Sequence, residues 1–351
     1  MVLARVSTRR LFGVRFLLVA AILGLLLAGL LRGSSGSMPL GDVWRGTLGL
    51  FGLGPGLESA PQYTLELRLW RALTAAGVGA SLALAGALLQ GLYRNGLASP
   101  SVLGVSSGAV LGGTIALVAR GSMGPGFMLW SVPVAAFLGA SAVAVALLLF
   151  ASGGGRVSVP ILLLAGVAMN TCVGALVVVV QALVMDDYDL TRAIMEWTFG
   201  NLVDRRAGHA GMVAVGLGLA LACIPFLARE LDLFAGGESD ARSLGVPVER
   251  VKRLAVFAVC ACTGCAVAAA GPVAFVGLIV PHAVRGLVGR GHHAVLWTAP
   301  LLGAVLMLAV DVGQLAVLGK RPFGPGVAMS VVGGPLFLIL LVRQRRRIGA
   351  W

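Results

Sequence analysis

The sequence predicts an all-α protein that crosses a lipid bilayer about ten times. Of its 351 residues, 58% are hydrophobic and 12% are charged, and the mean hydropathy is +0.96. A water-soluble globule of this length needs a larger polar surface than that. Apolar runs long enough to cross about 30 Å of hydrocarbon as a helix recur from end to end. The 51 glycines allow such helices to approach one another closely.

Ten segments are predicted to span the bilayer. In chain order they are residues 12–31, 65–91, 101–119, 128–150, 160–184, 209–228, 251–270, 273–289, 294–316 and 326–342. The first resembles a signal peptide because Arg9 and Arg10 precede it, but the RGSSGS that follows is a poor cleavage site, so we expect a retained span. Residues 1–351 are therefore expected to form a single transmembrane domain with no separate soluble domain.

The distribution of basic residues predicts the orientation. An even number of spans puts both termini on one side, and most of the 27 Lys and Arg fall on that side. They include Arg5, Arg9, Arg10, Arg343, Arg345, Arg346 and Arg347. The positive-inside rule then places both termini in the cytoplasm. The net charge of +13 is explained by orientation and lipid headgroups, and we expect no nucleic-acid partner.

Two sequence patterns bear on cofactors. Cys260, Cys262 and Cys265 form a C-x-C-x-x-C cluster. On a helix these positions diverge around the axis, and no His or acidic residue accompanies them, which favours packing over metal binding. The chain also lacks the P-loop GxxxxGK[ST], so it has no nucleotide-binding loop of this kind of its own.

Three longer segments separate predicted spans, at about 32–64, 185–208 and 229–250. The first is rich in glycine. The second carries a short helical pattern from Thr191 to Leu202, which is too short to span and is expected as an interfacial or re-entrant helix at the outer mouth. The third faces the cytoplasm.

The third segment contains GGESDARSLGVPVERVKR, residues 236–253. Glu238 to Leu244 is predicted to form a short helix with charges on one face and Ala241 and Leu244 on the other. Gly245 predicts its end, and Pro247 predicts the start of the next helix. Such an element is suited to docking into a groove on a cytosolic partner. The alternative is an ordinary solvated connector.

One weak internal similarity suggests a repeat. The second span opens with RLWRALTAAGVGASLALAG and the seventh with RVKRLAVFAVCACTGCAVAAAG. These segments begin on opposite sides of the membrane, as two inverted five-helix halves require. Two helices rich in small residues can also resemble each other through composition alone.

Five stretches resemble, in order, the permease subunits of the iron-siderophore, heme and cobalamin ABC importers, the FecCD-type family. They are RLWRALTAAGVGASLALAGALLQGLYRNGLASPSVLGVSSGA (68–109), LLLAGVAMN (162–170), EWTFGNL (196–202), ESDARSLGV (238–246) and GPVAFVGLIVPHAVR (271–285). The resemblance implies the type II ABC importer permease fold and import of an iron chelate by alternating access. Ferric siderophore is the expected cargo on family breadth, with heme and cobalamin as alternatives.

The resemblance also implies partners. Two copies of the chain would surround one path in a bacterial cytoplasmic membrane, with two ATP-binding subunits inside and a substrate-binding protein outside. ATP and Mg would be held by the ATP-binding subunits, and this chain would bind no cofactor or metal of its own. Because it breaks no bond in the cargo, it is expected to be a transport subunit and not an enzyme.

Family motifs assign roles to several residues. Coupling to the ATP-binding subunit is implied for Glu238, Ala241, Arg242, Leu244 and Gly245. Docking of the binding protein is implied for Arg68 and Arg71. Leu315 stands where the family has a further docking arginine, and Lys320 and Arg321 are its expected substitutes. The cytoplasmic gate is implied for Asn95, Leu97, Val159 and Pro160.

Polar residues inside the predicted spans suggest other roles. Gln90, Asn170, Thr171 and Gln181 face either the path or neighbouring helices. Asp311 is the only carboxylate well inside a predicted span, so we expect it to have a partner or to be neutral. A secondary transporter working without ATP would need several such groups, which makes it the weaker alternative.

The segment 269–289 combines membrane-grade hydropathy with helix-breaking residues. Gly271 and Pro272 predict a tight outer turn, with Pro272 in the first turn of the next helix. Pro281 predicts a kink. His282 is expected to donate to a backbone carbonyl that the kink frees, in preference to binding substrate or metal.

Overall fold

The computed structural model describes residues 8–33, 36–96, 98–101, 104–120, 128–153, 156–157, 159–318 and 323–348. The helices in these ranges are α1 (Thr8–Leu31), α2 (Leu40–Leu50), α3 (Ser59–Leu92), α4 (Val105–Arg120), α5 (Met128–Ala151), α6 (Val159–Leu183), α7 (Tyr188–Thr198), α8 (Ala207–Leu233), α9 (Glu238–Ser243), α10 (Val248–Ala270), α11 (Val276–Val288), α12 (His292–Leu318) and α13 (Pro325–Ile348). A 3₁₀ turn, Phe234–Gly236, joins α8 to α9.

Two small antiparallel hairpins complete the described structure. Strand β1 (Arg32–Gly33) pairs with β2 (Gly36–Ser37) just after α1. Strand β3 (Ser152–Gly153) pairs with β4 (Arg156–Val157) between α5 and α6. Each strand has two residues, so these hairpins are connections between helices and form no layer of the fold.

Every predicted span coincides with a helix: α1, α3, α4, α5, α6, α8, α10, α11, α12 and α13. Within the described residues, six of these helices (α1, α3, α6, α8, α10 and α12) are long and apolar enough to cross a membrane. Shorter apolar segments lie in α4, α5, α11 and α13. The helices α3 and α8 run past the predicted limits, to Ser59 and Leu233, because helical hydrogen bonding continues where the apolar stretch stops.

The bundle has two ends, which we name after the short helices lying there. At the α7 end, α3 begins and α1 ends, and the glycines Gly200, Gly271 and Gly326 meet near the starts of α11 and α13. At the α9 end, α3 and α8 end, and α10 and α12 begin. Consecutive long helices therefore alternate in direction across the bundle.

The central helices are α3 and α10. In their most apolar stretches 83% and 78% of the residues are buried, against 6% in α1 and 17% in α6. Large apolar side chains on α1 and α6 point outward, including Phe16 and Leu164 at 64% and 73% exposure. Outward apolar faces of this kind are stable when lipid, not water, is the solvent.

The packing follows the two inverted halves that the sequence predicts. Helices α3 and α10 run in opposite directions and contact each other. Helix α3 packs against α11 and α12 of the second half, and α10 packs against α4 and α5 of the first. Each central helix thus packs against helices of the other half, which is the arrangement that a two-fold axis in the membrane plane produces.

Glycine pairs allow these central helices to touch. A Cβ at Gly79 would overlap the carbonyl oxygen of Gly303, and one at Gly86 would overlap that of Gly277. Such backbone contacts are a common way for helices to associate in lipid. They hold α3 against α12 and α11 along its length.

Two short helices differ from expectation. The helix predicted at residues 191–202 is observed as α7, Tyr188–Thr198, because Asp187 caps its start by accepting from the Leu190 amide at 3.0 Å. Helix α2 lies in the glycine-rich segment between the first two spans, where no helix was predicted. It packs on α3, where Gly46 sits close to Leu65.

Candidate functional site

The short helix α9 at one end of the bundle has the form that the sequence predicts. It begins after Gly237 (φ +123°) and ends at Gly245 (φ +83°). Gly245 closes a Schellman motif, since its amide donates to Arg242 and the Val246 amide donates to Ala241, both at 3.0 Å. The following helix begins at Val248 with Pro247 as its N-cap.

The two apolar residues of this element do not share a face, which corrects the prediction. Ala241 is fully buried, whereas Leu244 is 65% exposed. The reason is that Leu244 caps the helix and lies outside it, so the helical spacing no longer applies. Leu244 is therefore an apolar side chain presented to the surroundings at the tip of α9.

Charged side chains tie α9 to α10. Lys252 Nζ lies 2.7 Å from Glu238 Oε1 and 3.7 Å from Glu249 Oε1. Arg242 Nη2 lies 3.1 Å from Glu249 Oε1. The predicted coupling residues Glu238 and Arg242 are thus held by partners on the next helix.

A second link at the same end joins α8 to α12. The Asp232 carboxylate accepts a hydrogen bond from the His292 backbone amide at 2.9 Å and lies 2.7 Å from His292 Nδ1. An aspartate in this position serves as an N-cap, supplied here by another helix. The segment that leads into α9 is therefore attached to the start of α12.

Some of the predicted gate residues lie outside the part of the chain that the structure describes. Leu97 lies outside the described residues, and only the backbone of Val159 and Pro160 at the start of α6 is described. Asn95 is exposed in the turn after α3, and its carbonyl accepts from the Ala98 amide at 3.1 Å. The gate assignment stays a prediction.

The kinked helix α11 is held by Gln90 of α3. Pro281 lacks the amide that would donate to the Gly277 carbonyl, and Gln90 Nε2 donates to that carbonyl at 3.3 Å and to Leu278 O at 3.2 Å. The Arg285 guanidinium donates to Gln90 Oε1. Gln90 is thus a donor to the carbonyl that Pro281 leaves free, and the expected donation by His282 stays a prediction.

The turn before α11 also differs from expectation. Gly271 has φ +75° and lies against Trp197 O and Gly200, which leaves no room for a Cβ at this position. Pro272, however, lies four residues before α11, and its predicted place in the first helical turn is wrong. The cause is Phe275, whose left-handed conformation (φ +66°) delays the helix to Val276.

The two arginines predicted to dock a binding protein make contacts within the chain. Arg71 forms a bidentate ion pair with Asp311, with Nη2 2.7 Å from Oδ1 and Nε 3.1 Å from Oδ2. The partner expected for Asp311 is therefore Arg71, and Gln314 Nε2 also donates to it at 3.2 Å. Arg68 donates to Leu30 O at 2.8 Å and to Gly36 O at 2.9 Å.

Docking by Arg68 and Arg71 stays a prediction, and any partner would have to compete with these contacts. The side chain of Arg71 is 14% exposed. The other two docking candidates, Lys320 and Arg321, lie outside the described residues.

The other intramembrane polar residues are divided between helix contacts and outward positions. Asn170 Nδ2 donates to Ser101 O at 3.1 Å, and its Oδ1 accepts from Ser107, so this residue joins α6 to α4 and the turn before it. Thr171 is exposed and donates within its own helix to Val167 O at 3.1 Å. Gln181 is half-buried.

Sequence reasoning missed Lys252, the Asp232–His292 contact and the role of Gln90. Only Lys252 carried a local signal, because a lysine three residues after Glu249 on a predicted helix invites an ion pair. Within the described part of the chain, no group of three or more His, Cys, Asp or Glu side chains is placed to hold a metal ion.

A bundle of ten apolar helices in two inverted halves, with a short surface helix between two glycines, is the architecture of an ABC importer permease. This chain belongs to the FecCD transport family, whose model matches residues 16–343. It is a multi-pass membrane protein and a transport subunit of an importer of the metal-chelate, heme and cobalamin type. It is not an enzyme, because the ATPase of such importers is a separate subunit.

Similar proteins span most of the chain. The cobalamin import system permease protein BtuC of Halobacterium salinarum is 38% identical over 288 residues, covering 81% of this chain and 74% of that protein. The hemin transport system permease protein HmuU of Yersinia pestis is 37% identical over 284 residues, covering 81% and 84%.

A solved structure also matches. A proposed metal-chelate type ABC transporter in an inward-facing conformation superposes with a TM-score of 0.79 and 28% identity, covering 95% of this chain and 99% of that one. The predicted type II importer fold is confirmed.

Proposed function

We propose that this chain moves an iron chelate, with ferric siderophore as the expected cargo, from a substrate-binding protein into the cytoplasm. Two copies would enclose one path, and each would contact an ATP-binding subunit that holds ATP and Mg. Closure of those subunits would rock the helices between outward- and inward-open states.

The observation that supports this proposal best is the geometry of α9. Leu244 projects at the tip of a helix that is anchored by the buried Ala241 and by the ion pairs of Glu238 and Arg242 with α10. A short helix with an exposed apolar tip fits a groove on a partner protein. A plain solvated connector would have no need for a buried anchor.

The proposed orientation puts both termini and α9 in the cytoplasm of a bacterium and the α7 end outside. The support is the excess of Lys and Arg on the side of the termini. The binding protein would then dock at the α7 end, near Arg68 and Arg71.

The cargo is tested by uptake into vesicles. Proteoliposomes containing this chain and its ATP-binding subunits receive the cognate binding protein and labelled ferric siderophore, heme or cobalamin in separate experiments. We expect ATP-dependent accumulation of the siderophore complex. If none of the three accumulates, the proposed function is wrong.

Cobalamin and heme are the second candidates because the two relatives described above are named for them. The same assay separates the three cargoes, since each is added alone. Accumulation of cobalamin or heme with no uptake of siderophore would replace the expected cargo and leave the importer assignment in place.

A further inference from the structure

We propose that Lys252 is a positioning residue for energy coupling, which locks α9 to α10 so that a force applied to α9 moves the bundle. The inference rests on the proposed function, in which α9 contacts the ATP-binding subunit. It adds to that function a residue inside the chain that neither touches cargo nor forms the tip of α9.

The first step is the burial of Lys252. Its side chain is 1% exposed, although it carries a charged group and lies near the start of α10. Removing an ammonium group from water is costly unless carboxylates compensate it. Glu238 and Glu249 supply that compensation at 2.7 and 3.7 Å.

The second step is that the ion pairs hold both ends of α9. Glu238 is the first residue of α9 and binds Lys252, while Arg242, near its end, binds Glu249 at 3.1 Å. These four residues carry two positive and two negative charges, so the cluster is neutral. We call Glu238, Arg242, Glu249 and Lys252 the α9 clamp.

The third step is that α9 needs such a clamp. It has six residues, and isolated helices shorter than about 12–15 residues are marginal in water. Its neighbours Gly237 and Gly245 are glycines with positive φ, so no Cβ would restrict their backbone once the clamp is lost. Without the clamp, α9 could tilt at these glycines and absorb a displacement without passing it on.

The fourth step is that α10 is well placed to receive the displacement. It contacts α3, α4, α5 and α8, and its most apolar stretch is 78% buried. A tightly packed helix moves with its neighbours, because interiors of this kind deform little. A push on a clamped α9 is therefore transmitted to the centre of the bundle.

The clamp is separate from the docking tip, which makes the inference testable. Leu244 is 65% exposed and belongs to no ion pair of the clamp. A change at Lys252 should therefore leave contact with the ATP-binding subunit intact while weakening the transfer of movement. If Lys252 only stabilised the fold, its replacement would lower the amount of complex and leave the cargo transported per ATP unchanged.

The experiment measures cargo accumulated and ATP hydrolysed in the same proteoliposomes, with the complex of this chain, its ATP-binding subunits and the binding protein. The probe is whichever of ferric siderophore, heme or cobalamin the wild-type complex accumulates. The test variant is Lys252→Met, which keeps the length of the side chain and removes its charge. The matched control is Arg250→Met, an exposed cation two residues earlier on the same helix.

We expect Lys252→Met to continue hydrolysing ATP while the cargo transported per ATP falls by about fivefold or more, the range of a typical coupling free energy. Arg250→Met should keep the wild-type ratio. A wild-type ratio in Lys252→Met would overturn the inference.

If Lys252→Met does not fold, Glu249→Gln tests the same clamp from a partly exposed side, at 29% exposure, and should lower the ratio in the same direction. Absence of ATP-dependent uptake by the wild-type complex would instead contradict the proposed function itself.

Discussion

At the α7 end, Arg71 and Asp311 pair inside the bundle with side-chain exposures of 14% and 5%. At the α9 end, Lys252 is more deeply buried, at 1% exposure, but its partners Glu238 and Glu249 are 36% and 29% exposed. The first pair faces only its own helices, whereas the second reaches the surface beside an exposed Leu244. Similar ion pairs thus join buried helices at one end of the bundle and support the exposed helix α9 at the other.

The difference has an energetic consequence. When both partners of an ion pair are buried, removing one leaves an uncompensated charge with no access to water. When the carboxylates are partly exposed, water replaces the lost partner at smaller cost. Substitutions at the α7 end should therefore act mainly on stability, and those at the α9 end mainly on function.

The largest effect on stability is expected for Arg71→Met. It leaves Asp311 buried without its guanidinium partner, and the free energy of unfolding should fall by about 3–5 kcal/mol. Denaturant titration in mixed micelles measures the change. Combining Arg71→Met with Asp311→Leu should recover most of the lost stability. If Arg71→Met alone is as stable as wild type, the ion pair is not closed to water.

An intermediate effect is expected for Gln90→Leu. The Gly277 carbonyl and the Arg285 guanidinium both lose their bond to Gln90, which should cost about 1–3 kcal/mol. The same titration measures the loss. Thr171→Val is the matched control, because that hydroxyl is exposed and bonds only within its own helix, so an equal loss in both variants would contradict the assigned role of Gln90.

A smaller effect is expected for Asp232→Ala. The change removes the cap that α8 provides for α12, and loss of an N-cap typically costs about 1 kcal/mol. Unfolding in micelles again gives the value. Asp240→Ala, at an exposed position on α9, should be close to neutral; if it is as costly as Asp232→Ala, the cap is not the reason.

The smallest effect on stability is expected for Leu244→Asp, which should stay within about 0.5 kcal/mol of wild type because the side chain is exposed. Its effect on assembly should be large, since a charge replaces the apolar tip proposed to enter the partner groove. Copurification of the ATP-binding subunit measures it, with Leu244→Met as the control. Undiminished copurification would show that the tip is not the docking contact.

Much of the architecture could be predicted because it depends on local signals. The ten spans follow from apolar runs, and the end of α9 follows from Gly245, which adopts the left-handed conformation that glycine accepts readily. Helix α2 was missed because its three glycines resemble a loop in sequence. Its packing on α3 stabilises it in spite of that composition.

The partners of the charged residues could not be predicted in the same way. Arg71 and Asp311 are 240 positions apart, and Gln90 and Gly277 are 187 apart. A single sequence indicates that Asp311 needs a partner, because an isolated charge in a membrane is costly. It does not indicate which of many basic residues will be near.

By itself, the sequence determined the membrane class, the ten spans, the short helix between two glycines and the family motifs, because hydropathy and backbone preference act over a few neighbouring residues. The tertiary structure decided that Arg71 faces Asp311, that Gln90 completes the kink at Pro281, and that Lys252 is buried beneath α9. Those outcomes depend on which helix faces meet. Close glycine contacts such as Gly86 with Gly277 set that arrangement, and it exists only once the whole bundle has packed.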